Sequence, residues 1–467
     1  MDIAGIVLSL AGLMYFAYRG INVLVLAPLM ALLACLLHAD TPLLASYTQV
    51  FMPALGRYLL QYFPVFLLGA IFGKLMSDSG AAAVIGQFVA IKLGAKRGVL
   101  AVVLACSVLT YGGVSLFVVA FCVYPIAVTL FREGDIPKRL IPGAIALGSF
   151  TFTMTALPGT PAIQNAIPMP FFGTTAFAAP GLGLLGAAVM FTVGYLWLER
   201  RSSQARQQGE GYGPPSAGDE KSTTTEASVV DVSLLSFLKA LTPLVAVLVV
   251  NFILSKIILP QMNHSYLAEA RFGSIAPESV LGLWSLIASI FVAILLHLFL
   301  YRHQLEHPVQ SINAGTMGSL LPIFNTASEV GYGATIAALS SFALIRDAVL
   351  GLAPEVPLVS AAVSINILAG ITGSASGGLS IALEALAESY LQLATLAGIS
   401  PDLLHRVASM ACGGFDTLPH NGAVITLLTI CGLDHRRSYL DIAVVALVGP
   451  FAATCLVVLV GSVFGGF

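Results

Sequence analysis

Four stretches of the chain, 2–37, 97–131, 233–260 and 278–300, hold so few charges that they read as membrane segments, some punctuated by a turn. A hydrocarbon core about 30 Å thick takes about 20 apolar residues of α-helix to cross, and these runs reach that length. The whole sequence of 467 residues agrees, being 57% apolar and 9% charged, against about 45–50% and about 25% in soluble domains. A cytosolic enzyme is excluded and an all-α polytopic membrane protein is expected. With 21 Lys and Arg against 23 Asp and Glu and no basic block, nucleic acid is not an expected partner. Met1, Asp2 and Ile3 lack the positive n-region of a signal peptide, so the first apolar run is expected to stay as a helix. Cys35, Cys106, Cys122, Cys412, Cys431 and Cys455 are scattered without C-x-x-C spacing and read as buried filler, with no metal or cofactor called for.

One segment interrupts this pattern. Residues 199–232 are polar and rich in Gly, Ser, Thr and Pro, too poor in apolar surface to fold. They form a linker, and Arg200, Arg201 and Arg206 place it in the cytoplasm by the positive-inside tendency. The flanking halves, 1–198 and 233–467, repeat one another. GGVS at 112–115 recurs as GGLS at 377–380, GDIPKRL at 134–140 as GISPDLL at 398–404, and TALPGTPAIQN at 155–165 as DTLPHNGAVIT at 416–426, with offsets of 265, 264 and 261. The first-half loop carries Arg132, Lys138 and Arg139, whereas its counterpart at 396–403 has neither Lys nor Arg. Equivalent loops on opposite sides make the copies inverted.

Segment 98–131 has positive charges at both ends, which puts both ends inside, and its first arm of about 20 Å is too short to cross. The spacing predicts a re-entrant hairpin with its tip at Thr110-Tyr111-Gly112-Gly113-Val114-Ser115. Its mirror image spans 357–395, with the tip Thr372-Gly373-Ser374-Ala375-Ser376-Gly377-Gly378. A helix follows each hairpin, over 138–172 and 402–432. Each is expected to break at its prolines, at Leu157-Pro158-Gly159-Thr160-Pro161 and at Leu418-Pro419-His420-Asn421-Gly422. Helices are expected near 3–17, 21–37, 58–76, 175–198, 233–258, 278–300, 312–330 and 441–463, with 80–95 and 335–352 along the interface. Ten spans plus two hairpins result.

Irregular backbone at membrane depth must be buried by protein or line a wet cavity. Two tips and two breaks therefore point to one central site, where helix N-termini offer amide donors and partial positive charge to an anion. Around it, Thr110, Ser115, Thr153, Thr155, Thr160, Gln164, Asn165, Thr372, Ser374, Ser376, Thr417, His420 and Asn421 can hydrogen-bond carboxylate and hydroxyl oxygens, and Gly112, Gly113, Gly159, Gly377 and Gly378 allow close approach. The competing account of these small residues is close helix packing. Ionisable groups at this depth are functional candidates by default, so Asp416 and His420 are assigned to proton coupling, the alternative being a helix cap and a bond to a loose carbonyl. Glu384 is also assigned to coupling, although Glu384 and Glu388, four apart on one helical face, can equally be interface residues. Glu329 is a further intramembrane acid, and His297 is discounted.

GSASGGLSIALEAL at 373–386, GGFDTLPHNGAVITLL at 413–428 and the opening run DIAGIVLSLAGLMYFAYRGINVLVLAPLMALL resemble the gluconate permease (GntP) family, notably its hydroxybutyrate-permease-like branch. The resemblance covers the chain apart from the linker and implies proton-linked uptake of small hydroxy- or ketocarboxylates across a bacterial inner membrane. The family is similar to the wider ion-transporter superfamily, which implies inverted repeats with two hairpins, homodimers and elevator-like movement. The sodium-coupled dicarboxylate branch carries Ser-Asn-Thr at its tips; here they read TYGGVS and TGSASGG, so no sodium site is carried over and proton coupling is preferred, with sodium open. Two other classes compete. An intramembrane hydrolase would use Ser374 or Ser376 as nucleophile and His420 as base, without a nucleophile-elbow or H-E-x-x-H motif. A passive channel would want a continuous polar stripe. No Walker motif supports ATP-driven transport.

Overall fold

The computed structural model describes residues 2–19, 21–38, 41–213, 232–351, 357–419 and 421–467, and no strand occurs among them. The first half runs α1 (Asp2–Tyr18), α2 (Val23–Leu36), α3 (Leu43–Asp78), α4 (Ala81–Leu93), α5 (Gly98–Tyr111), α6 (Leu116–Glu133), α7 (Ile141–Ser149), three short turns of helix, α8 (Phe152–Thr155), α9 (Ile163–Ala166) and α10 (Pro168–Phe172), and then α11 (Pro180–Gln207). The second half runs α12 (Leu234–Gln261), α13 (Glu278–Leu300), α14 (Pro308–Ala337), α15 (Phe342–Leu350), α16 (Pro357–Thr372), α17 (Ala375–Leu396), α18 (Pro401–Ala411), α19 (Gly422–Cys431) and α20 (His435–Phe464).

Six of these helices, α3, α6, α11, α12, α13 and α20, are long and apolar enough to cross a membrane. Together they make the chain an all-α polytopic membrane protein. Helix α14 is of similar length, but its sequence PVQSINAGTMGSLLPIFNTASEVGYGATIA is too polar to join them. A helix that is polar and also buried along Thr326–Gly333 must find its partners inside the protein. Side chains start several helices, where the first amides lack carbonyl acceptors: Asn22, Ser233, Ser400 and Asp434 each accept a bond from a first-turn amide.

Helix α20 separates two faces of the molecule, since 30 residues reach about 45 Å. Near its start, buried Asp441 accepts bonds from Arg139 Nη1 (3.2 Å), Arg201 Nε (3.0 Å) and Trp197 Nε1 (3.0 Å). Beyond its end, the Phe467 carbonyl accepts from the Gly181 and Leu182 amides, and Gly466 packs on Ser400. One face thus carries the loop after α6, the end of α11 and the start of α20. The other carries the start of α11, the 398–400 loop and the C-terminal residues. Helix α11 continues past residue 198 to Gln207, and the chain beyond it docks back on the first face: Glu210 takes Arg139 Nε at 2.7 Å and Nη2 at 2.9 Å, while the Tyr212 amide donates to Asp135. Residues 214–231 of the predicted linker lie outside the described residues.

Four of the six cysteines are buried, as filler should be; Cys122 is half-buried and Cys455 is exposed on α20, where a membrane helix meets apolar surroundings rather than protein.

Candidate functional site

The segment predicted as the first hairpin consists of α5 and α6, packed together and joined by Gly112–Ser115. Gly113 makes the turn at φ +98°, a conformation that side chains resist, and packs on Pro161. The open end lies on the Arg139 face, where Gly134 packs on the Ala95 carbonyl. In the second segment α16 and α17 are joined by Gly373 and Ser374, with Gly373 at φ +64° and Gly378 against the Ala369 backbone. Ser364 Oγ meets Tyr390 Oη at 2.7 Å across the pair, and the far end of α17 runs into the 398–400 loop on the other face.

Both following helices are interrupted, and earlier than the prolines alone imply. The first leaves α-geometry at Phe150 and Thr151 and the second at Cys412, whereas the expected breaks begin at Leu157 and Leu418. Pro28, Pro64, Pro125, Pro243 and Pro322 all sit inside continuous helices, so proline by itself does not decide the matter. In the first break hydroxyls take over the helical carbonyls: Thr151 Oγ1 donates to Leu147 O, Thr153 Oγ1 to Gly148 O and Thr160 Oγ1 to Thr153 O, at 2.6, 2.9 and 2.8 Å. The two breaks meet where Gly413 packs on the Thr155 side chain.

Most first-half candidates are occupied in holding this break together. Asn165 Nδ2 donates to the Thr160 and Ala176 carbonyls, each at 3.0 Å, and Thr155 Oγ1 donates to Thr151 O. Gly159, at φ +82°, donates its amide to Ala176 O and packs on Phe177, and Tyr111 Oη donates to Pro158 O at 2.7 Å, tying tip to break. Gly112 packs on Leu244, and Ser115 precedes α6 without capping it. Thr110 Oγ1 and Gln164 Oε1 are buried without a hydrogen-bond partner.

The residue that organises the first break is one the sequence reading did not consider. Arg406, on α18, is fully buried and directs every guanidinium N–H into the break: Nε to Ala178 O (3.0 Å), Nη1 to Thr155 O and Asn165 Oδ1 (both 3.2 Å), Nη2 to Ala178 O (2.8 Å) and Ala176 O (3.4 Å). Its neighbour His405, also fully buried, bonds Asn165 Oδ1 through Nε2 (3.1 Å) and Thr174 Oγ1 through Nδ1 (2.6 Å). The sequence carries a signal for it, since an Arg inside an apolar segment is costly unless partnered. With its donors filled by carbonyls, Arg406 is a brace and has no donor left for a ligand.

The second break is less saturated. Asn421 caps α19 through bonds from the Ala423 and Val424 amides (2.6 and 3.0 Å), and its Nδ2 donates to Gly373 O and Asp416 O, both at 2.8 Å. Tip and break are therefore joined here too. Thr417 Oγ1 is spent on Ala446 O and Thr372 Oγ1 on Leu368 O, each at 2.9 Å. Asp416 Oδ1, by contrast, is buried with no hydrogen-bond partner. His420, assigned to binding and coupling, lies outside the described residues. Ser374 caps α17 by accepting from the Gly377 amide at 3.0 Å, and Ser376 Oγ lies 3.4 Å from both Ser374 Oγ and Thr326 Oγ1.

Glu329, the further acid, stands over this helix start: it is 4% exposed, and a Cβ on Gly377 would collide with its Oε2. Glu384 is placed differently from a buried coupling group. It is partly exposed and pairs with Arg57 Nη2 at 3.1 Å, beside a cavity of about 260 Å3 lined by Arg57, Tyr58, Gln61, Tyr62, Ser380 and Glu384 among others. Glu388 is exposed, and His297, discounted in the sequence, is buried with Phe72 and Tyr301 rings against it.

The family model described as the GntP family permease matches residues 3–371. The whole chain is also similar to an uncharacterized transporter, YxjC, of Bacillus subtilis (strain 168), 45% identical over 473 residues and covering 100% of both chains. A polytopic helical chain with interior breaks that matches a permease model over most of its length is a transporter and not an enzyme, and it belongs to the GntP permease family.

Proposed function

We propose that the protein is a secondary transporter that imports a small hydroxy- or ketocarboxylate, such as 3-hydroxybutyrate or gluconate, together with a proton. The observation that carries this reading is the meeting of the two interrupted helices at Thr155 and Gly413, each with a glycine-turned helix pair docked on it, by Tyr111 on Pro158 and by Asn421 on Gly373. Non-helical backbone is tolerated at membrane depth where it is buried or lines a wet cavity, and transporters place substrate at such discontinuities. Substrate binding falls to the second side. The Ala375 and Ser376 amides at the start of α17, with the Ser376 hydroxyl, suit a carboxylate.

The halves act as inverted copies in this reading, supported by the three sequence matches and by helix pairs whose ends lie on opposite faces. The Arg139–Asp441–Arg201 face is cytoplasmic with the 199–232 linker, since it gathers the positively charged loops. The chain works in a bacterial inner membrane, as a homodimer whose mobile part shifts in an elevator fashion. Asp416 and His420 are the candidates at the break for proton coupling, Asp416 because its buried oxygen lacks a partner. The Arg57 counter-charge removes that reason for Glu384.

Purified protein in liposomes tests the proposal. Labelled 3-hydroxybutyrate and gluconate should accumulate under an imposed pH gradient without sodium, and accumulation only under a sodium gradient would transfer the coupling to sodium. No saturable uptake of either acid or of acetoacetate would end the carboxylate reading. His420→Ala should reduce gradient-driven accumulation more than exchange.

A further inference from the structure

Between α3, α14 and the start of α17 lies a cluster of polar atoms that the protein does not satisfy. Tyr58 Oη, Glu329 Oε2 and Ser380 Oγ are all buried without a hydrogen-bond partner. Buried polar atoms in native proteins are normally paired, so such a group calls for an explanation. Tyr58 and Ser380 line one cavity beside Val330, the residue after Glu329, and Gly377 packs on the Glu329 carboxyl, which gathers the group in one place. The Ser374 hydroxyl is within reach of the Glu329 carboxyl but makes no hydrogen bond to Oε2.

Glu329 has no ion pair among the described residues. Its carboxyl lies against Gly377 at the start of α17, beside the Ser374 hydroxyl, with Tyr58 of α3 close by. The α1 and α2 helices pack on α14 one turn further along, where Ser9 Oγ meets Tyr332 Oη at 2.8 Å. The nearest charges toward the cavity are Arg57 and Glu384, which neutralise each other. What attracts a negative charge to this place is the N-terminus of α17, whose first amides and dipole favour one anion. Glu329 is already there, and only glycine at 377 lets it come so close.

The cavity supplies a route. Tyr58 and Ser380 line its inner wall beside Val330, and Ser279 lines it at the start of α13. That end of α13 belongs to the face of the α11 start, because Gly173 packs on Glu278.

Resting on the transport function proposed above, we infer that Glu329, rather than Asp416 or His420, carries the coupled proton: the start of α17 faces one ionised carboxylate at a time, that of Glu329 when the site is empty and that of the substrate once Glu329 is protonated. The charge balance is simple. The empty site holds one ionised carboxylate, Glu329. On loading, a proton entering by the cavity bonds to a Glu329 oxygen, the neutral acid leaves the amide end, and the substrate anion takes its place. The site again holds one negative charge, so the loaded and empty carriers cross the membrane with equal charge. Release of substrate on the other side lets Glu329 return to the amides and give up its proton. Two ionised carboxylates at one helix end repel in a medium of low dielectric, and that repulsion is what enforces the exchange.

The test compares wild type, Glu329→Gln, Glu329→Asp and Asp416→Asn in liposomes, with 3-hydroxybutyrate as the probe. For Glu329→Gln, the ratio of pH-gradient-driven uptake to counterflow should fall to the ratio without a gradient, and binding should lose its dependence on pH. Glu329→Asp, which keeps an acid, should retain part of the coupling. A Gln variant that accumulates probe as wild type does, or coupling lost only in Asp416→Asn, overturns the assignment. Infrared spectroscopy on the pH titration of the folded protein gives a second readout that needs no substrate. A protonated-carboxyl band that appears on acidification in wild type and is missing from Glu329→Gln supports the proposal; a band unchanged in that variant overturns it. Failure of wild type to move 3-hydroxybutyrate, gluconate or acetoacetate removes the carboxylate reading, while the infrared result still decides whether Glu329 takes up a proton.

Discussion

The two interrupted helices arise from similar sequence and are finished differently. Around the first, polar groups are nearly all consumed internally, by threonine hydroxyls on helical carbonyls, by Asn165 across the gap and by Arg406 from the partner helix. The atoms left over there, Thr110 Oγ1, Ser149 Oγ and Gln164 Oε1, are neutral. Around the second break and its tip, oxygens of two carboxyl groups, Asp416 and Glu329, remain unpartnered. An unsatisfied neutral group inside a protein costs about 1–3 kcal/mol, and an ionised one more. The saturated side is therefore a brace, and the side that carries an unmet electrostatic demand is where a proton or a substrate has something to do.

The sharpest way to break this comparison is to remove the brace. Arg406→Ala leaves the Thr155, Ala176 and Ala178 carbonyls and Asn165 Oδ1 without their charged donor and opens a cavity as well. We expect a loss on the order of 3 kcal/mol or more, read as a large fall in the unfolding temperature of the purified protein with or without ligand. Near-wild-type stability would mean that the first break is not held by Arg406. Gly377→Ala comes next, because its methyl group meets Glu329 Oε2. Overpacking should cost about 1–3 kcal/mol, and transport should fall further than stability does if the amide end of α17 is the substrate's seat. Equal losses would reduce Gly377 to a packing residue.

Smaller effects test the edges of the contrast. Tyr111→Phe removes one bond between tip and break at Pro158 and should cost about 1 kcal/mol, measurable by thermal unfolding, with coupling intact. Glu384→Gln breaks a partly exposed ion pair with Arg57 and should change stability by less than about 1 kcal/mol; if it abolished gradient-driven uptake instead, coupling would belong at the cavity mouth. The smallest effect concerns the linker start. Arg139 holds the Glu210 carboxyl below the ordinary carboxylate range, chiefly by their hydrogen bond. A lowered acid contributes stability above its unfolded value and loses it as pH falls through the folded one. Residues 208–213 should accordingly exchange amide hydrogens relatively faster on acidification, and Glu210→Gln should remove that difference.

Much of the architecture was legible before any coordinates. The helical segments follow from uncharged length, and the turns at Gly113 and Gly373 follow from glycine pairs or clusters between two apolar arms. The exact breaks were less so. Proline is expected to set them, yet five prolines lie within continuous helices, and the breaks begin where Thr151 and Gly413 leave the ladder, ahead of the prolines. Thr155, Thr160 and Asn165 stand out as polar groups in an apolar segment, but a sequence does not say whether such a group faces a ligand or a carbonyl. Arg406 was missed because its charge stands just beyond a loop judged by its lack of charge.

What the sequence determined by itself is the helical, membrane-spanning character of the chain and the places where helix is hard to continue, because hydrophobic length and backbone chemistry are local properties. Which of the exposed donors and acceptors became spent was decided by tertiary structure alone. Arg406 and the carbonyls of residues 155–178, like Glu329 and Gly377, are distant in the chain and meet only when the helices pack. Satisfaction of a buried polar atom depends on a partner within about 3 Å, and no periodicity or composition encodes which partner that will be.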